Sequence, residues 1–187
     1  MQYNSPVILT FFLLSLGVLF LGQYTGGWTT THLFSVYRSS LKDPLFYIRL
    51  FGHVLGHASW DHFFGNIMML LVVGPLLEEK YGSANILFVT LTTALVTGVI
   101  NFIFFPHVQL LGASGVVFAF ILLASLTSIE EEKIPLTFIL VALIYIGQQV
   151  YDGIFIRDNV SNLTHILGGI VGSGLGYVMN KNKMNRY

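Results

Sequence analysis

The chain has 187 residues, of which 54% are hydrophobic and 10% charged, with a mean hydropathy of +0.73; a water-soluble domain carries about 25% charged residues, so this composition belongs to an integral membrane protein. Nine basic side chains balance nine acidic ones, which excludes the basic field that a nucleic-acid binder needs. The absence of cysteine excludes disulfides, thiolate metal sites and a cysteine nucleophile.

Six apolar runs approach the roughly 20 residues needed to cross a bilayer: about 6–23, 62–79, 83–105, 113–129, 134–150 and 161–179. They predict an all-α membrane protein, one bundle of six transmembrane helices spanning 1–187 without a separate soluble domain. The first run lacks a basic flank and an A-x-A site, so it is expected to be a retained helix rather than a signal peptide. Residues 24–61 hold Trp28, Tyr37, Phe46, Tyr47, Phe51 and Trp60. Such aromatics favour the headgroup layer, so this first loop is expected in or on the membrane. The run Glu130 to Lys133 reads as a solvated loop. An even number of spans puts both termini on one side. Lys80, Lys133, Lys181, Lys183 and Arg186 fall there, against Arg38, Lys42, Arg49 and Arg157 opposite, a bias toward cytoplasmic termini.

Polar groups within spans are costly in lipid and mark function by default. His62 and Asn66 are four apart and share a face of the second span. Ser114 opens the fourth and His165 lies about one turn into the sixth. Gly168, Gly172 and Gly176 recur at every fourth residue behind His165, as Gly115 and Ala119 do behind Ser114. Small-residue stripes let helix backbones approach closely, which would bring serine and histidine within hydrogen-bonding reach.

Three motifs in order, "HASWDHFFGN" at 57–66, "GASG" at 112–115 and "HILGGIVGSGLG" at 165–176, resemble those of the rhomboid family of intramembrane serine proteases. The resemblance runs from the first span to the sixth. It implies a Ser/His dyad in which Ser114 is the nucleophile and His165 the general base, with no cofactor and no metal. It also implies an oxyanion site of Asn66, His62 and the Ser114 N–H, supported by Gly112, Gly115, Phe118, Gly168 and Gly172. Substrates would be other transmembrane proteins, with alanine or another small residue before the cut bond. They would enter between the second and fifth helices, where Gln148 and Gln149 stand. "LEEKYGS" at 77–83 is similar to the family's E-x-x-x-G-S. Arg49 is half of a Trp-Arg pair, Ile48 replacing the tryptophan, and Phe118 stands where tyrosine is common. The brevity of the chain favours a prokaryotic cytoplasmic membrane, with the site toward the non-cytoplasmic face.

Other readings attach to the same residues. An isolated membrane serine often only bonds its own helix carbonyl four residues back. Asp152 or Asp158 would be a third catalytic member if one existed. His53, His57 and His62 suggest a metal, but a zinc protease needs H-E-x-x-H, and no histidine here is followed by glutamate; His53 and His57 are expected to hydrogen-bond near the site. A relative that only binds client helices would lack the serine or histidine. A transporter would show a repeat or a mid-membrane ion site.

Overall fold

The computed structural model describes residues 4–126 and, beyond them, 136, 139–140, 143–144, 147, 166–172, 174–175 and 178. Among the described residues, three helices are long and apolar enough to cross a membrane: α1 (Pro6–Tyr24), α4 (Trp60–Tyr81) and α5 (Ser83–Phe104). The apolar runs 6–23, 62–79 and 83–105 fall on them. The run 113–129 begins on the shorter α6 (Ser114–Leu126). The runs 134–150 and 161–179 lie largely outside the described residues, and those of their positions that are described are helical. The long first loop contains two short helices, α2 (Trp28–His32) and α3 (Pro44–Gly52), and a 3-10 turn at His53–Leu55.

Helix α4 packs on α1 and α6, and α5 packs on α3 and α6. Their shared core holds Ile8, Phe63, Ile67, Leu70, Ile86, Val89, Val116 and Ala119. Leu14, Phe20, Met68, Val72, Leu76 and Phe88 face outward, as lipid-facing positions must. Lipid is as apolar as leucine, so close packing and internal hydrogen bonds hold such a bundle together. At the junction of α4 and α5, Gly82 adopts φ +82, a left-handed conformation that favours glycine. The Glu78 carboxylate beside it accepts from the Val7 and Ile8 amides at 3.0 Å each and from the Ser83 hydroxyl at 2.7 Å. A side chain of α4 thereby caps α1, whose own Ser5 makes no side-chain cap.

Buried Arg49 organises the first loop. Its guanidinium donates to Asp43 at 2.8 Å and to the His32 carbonyl at 2.7 Å, and lies 4.6 Å from the centre of the Tyr37 ring. Asp43 also caps α3 through the Leu45 amide at 3.0 Å. That bond, with Arg49 second, holds the Asp43 carboxyl below the usual carboxylate range despite the opposing effect of desolvation.

Candidate active site

At the Trp60 end of α4, Ser59 caps the helix by accepting from the His62 amide at 3.1 Å. Asn66, buried one turn further on, donates to the His62 carbonyl at 3.0 Å. The loop before α6 comes up against this pair at Gly112. That residue has φ +116, and a Cβ added to it would stand 2.6 Å from His62 Nε2 and 3.7 Å from Asn66 Nδ2. Only glycine lets the backbone pass there. Two residues later α6 starts at half-buried Ser114.

Five hydrogen bonds fix that loop. The Gly112 amide donates to the His53 carbonyl at 2.9 Å. Val36 and Leu110 exchange two backbone bonds of 2.9 Å as an isolated antiparallel bridge. Asn101, fully buried near the end of α5, donates to the Val36 and Val108 carbonyls at 3.1 Å. Asn101 has no part in the sequence reading, although a polar residue within an apolar run is the signal that singled out Asn66.

Helix positions 166–172 pack on α6 through small residues. A Cβ on Gly168 would lie 3.1 Å from the Gly115 carbonyl oxygen, and one on Gly172 would overlap Ala119. The buried Phe118 ring lies against Gly169. The structure therefore brings together Gly112, His62 and Asn66 at one point, and Gly115, Phe118 and Ala119 with Gly168, Gly169 and Gly172 at another. His165, Gln148, Gln149 and Gly176 lie outside the described residues.

His57 packs against His62, and His53 lies beneath the loop at Gly112. His53 Nδ1 pairs with the Arg49 carbonyl at 3.1 Å and Nε2 with Thr97 Oγ1 at 3.2 Å. His57 Nδ1 pairs with the Leu55 carbonyl at 3.1 Å, and its ring meets His62 edge to face, centroids 5.1 Å apart. Burial pushes His53 down to about 4; burial, then the neighbouring His62, does the same to His57. Both are neutral at pH 7. An unfolded chain binds their protons near pH 6.5, so folding stability is full above that value and declines as pH falls toward 4. A loss of about 3 kcal/mol for each group is expected over this interval. Thermal unfolding in detergent at pH 7 and pH 4.5 measures it, and His57→Gln should make the difference smaller.

Membrane-length apolar helices with a cluster of polar residues at one end define a multi-pass integral membrane protein with an internal polar site. Residues 45–182 match the family model for the Rhomboid domain, and the chain belongs to the rhomboid family. It is 30% identical over 159 residues to Rhomboid-related protein 2 of Mus musculus, covering 74% of this chain and 53% of that protein. It is 27% identical over 179 residues to Rhomboid protease GluP of Bacillus subtilis (strain 168), covering 90% of this chain and 34% of that protein. With Rhomboid-related protein 1 of Caenorhabditis elegans it shares 27% identity over 140 residues, 70% of this chain and 39% of that one. The chain thus spans about half the length of these relatives or less.

Proposed function

We propose that the chain is an intramembrane serine endopeptidase that cuts other transmembrane proteins within or beside their membrane helix. Ser114 attacks the carbonyl, and His165 takes its proton and returns it to the leaving amine. The tetrahedral oxyanion is met by Asn66 Nδ2, His62 Nε2 and the Ser114 amide at the start of α6, where the helix dipole also favours negative charge. The observation that carries this reading is the seat of Gly112 against His62 and Asn66, which puts two side-chain donors within two residues of the serine. The approach of Gly168 to Gly115 supports the dyad, because the sequence sets His165 three positions before Gly168.

In this reading the runs 134–150 and 161–179 complete a six-helix bundle, and Gln148 and Gln149 border the entrance for substrate. A helical substrate must unwind before its peptide bond can be attacked, so glycine, proline or polar residues near the bond favour cleavage. The test is cleavage of transmembrane substrates in liposomes by wild type, Ser114→Ala and His165→Ala. Wild type should cut them. Each variant should lose at least about 10³-fold in rate with unchanged thermal stability. Cleavage that persists in Ser114→Ala refutes the nucleophile, and a wild type inert on every substrate points to a relative that only binds its clients.

A further inference from the structure

His62 is the third residue of α4, and two bonds at that helix end decide which of its ring nitrogens can donate. The hydroxyl of Ser59, the N-cap, accepts from the His62 amide at 3.1 Å. In the other direction the Ala58 amide donates to His62 Nδ1 at 3.4 Å. Such reciprocity is the logic of a capping box, in which the third residue of a helix returns a side-chain acceptor to a backbone amide at its start. Here an imidazole replaces the usual glutamate or glutamine, and it reaches one residue further back.

A backbone amide can only donate, so the Nδ1 that meets it accepts and carries no proton. A neutral imidazole has one N–H, and the bond made at one ring nitrogen assigns it to the other. The proton of His62 therefore sits on Nε2, the atom that a Cβ on Gly112 would approach to 2.6 Å. The same contact opposes the other two forms of the ring. With its proton on Nδ1, two donors would face each other at Ala58, and Nε2 would turn a lone pair toward the developing oxyanion. A doubly protonated ring would keep the Nε2 donor but lose the bond from Ala58. The His57 ring, edge to face with His62 at a centroid separation of 5.1 Å, limits the freedom of the imidazole to turn away.

Ser59 is exposed, and its bond to His62 is made to the backbone amide alone. That bond fixes the turn that brings residue 58 over the ring. We propose that Ser59 is a positioning residue: by capping α4 it keeps the Ala58 amide on His62 Nδ1, and so presents His62 to the oxyanion as the neutral tautomer protonated at Nε2. The inference rests on the protease reading above and adds what prepares one of its donors.

The experiment compares wild type with Ser59→Ala, with Ser59→Gly, a tolerated N-cap that offers no side-chain acceptor, and with Ser59→Asp, which restores one. Each is assayed for kcat and KM on a transmembrane substrate in liposomes, alone and combined with His62→Ala. Ser59→Ala and Ser59→Gly should lower kcat about tenfold, a fraction of the 10²- to 10³-fold that a lost donor costs. KM should change by less than about twofold, since the donor acts in the transition state, and Ser59→Asp should recover most of the rate. With His62→Ala in place, the Ser59 substitutions should alter kcat by less than about twofold. An equal loss in both backgrounds means that the cap serves the fold alone and overturns the proposal, as does full activity of Ser59→Gly. The tautomer is read independently from nitrogen NMR spectra of histidine-labelled protein in detergent, His62 being assigned by its disappearance in His62→Ala. Wild type should show Nδ1 unprotonated and Nε2 protonated, and Ser59→Gly a pair of signals drawn toward each other by exchange. A wild-type proton on Nδ1, or a Ser59→Gly spectrum identical to wild type, overturns the proposal and leaves the protease reading standing. A wild type that cuts no substrate refutes the protease reading, and the positioning role falls with it whatever the tautomer.

Discussion

Gly112→Ala is expected to lower cleavage by about 10²- to 10³-fold, the cost of one oxyanion donor, in a protein that still folds. The methyl group would sit 2.6 Å from His62 Nε2 and 2.7 Å from Cε1, at a residue whose φ of +116 already disfavours any side chain. The imidazole has little room to retreat, since the Ala58 amide holds one edge at 3.4 Å and the His57 ring packs against it. Either the ring turns away or the loop lifts, and both separate Ser114 from the proposed donors His62 and Asn66. The strain is confined to one loop, whose bridge between Val36 and Leu110 and whose bonds from Asn101 are untouched. Rates of substrate cleavage and thermal unfolding, measured together, check the result. Full activity in Gly112→Ala would remove His62 and Asn66 from the proposed oxyanion site.

The parts of the molecule that were legible in the sequence are those governed by short-range rules. Apolar length placed α1, α4 and α5, and an interval of four put His62 and Asn66 on one face, where they lie together against Gly112. Gly168, Gly172, Gly115 and Ala119 were legible as packing residues because small side chains at helical spacing have few other uses. The supports of the site were not. The bond from Gly112 to the His53 carbonyl, the Val36–Leu110 bridge and the reach of Asn101 to Val36 join segments about 60 to 75 residues apart, and no local pattern records such pairings. Arg49 shows a motif that was half legible. Without a preceding tryptophan it still orders the first loop, through Asp43, the His32 carbonyl and the Tyr37 ring.

Glu78→Ala should destabilise the bundle by about 3–6 kcal/mol, from two amide bonds worth about 1.5–3 kcal/mol each when the acceptor is charged. Glu78 is 4% exposed, and its two oxygens satisfy the amides of Val7 and Ile8 and the hydroxyl of Ser83. The first amides of a helix have no partner within it, and Ser5 supplies none to α1. Removing the carboxylate strands both amides in a site where water is scarce. Glu78→Gln is the sharper variant, because one carboxylate oxygen becomes an NH2 group that faces a donor and must displace it. Glu78 is sixteen residues along α4 from His62, about 24 Å of helix, so cleavage per folded molecule should stay near the wild-type value. Thermal unfolding in detergent and cleavage at low temperature separate the two effects: a large fall in unfolding temperature with activity retained is expected for both variants. Unchanged stability would mean that the capping of α1 by α4 contributes little to the fold, while a stable but inactive Glu78→Gln would tie that remote end of α4 to the position of His62.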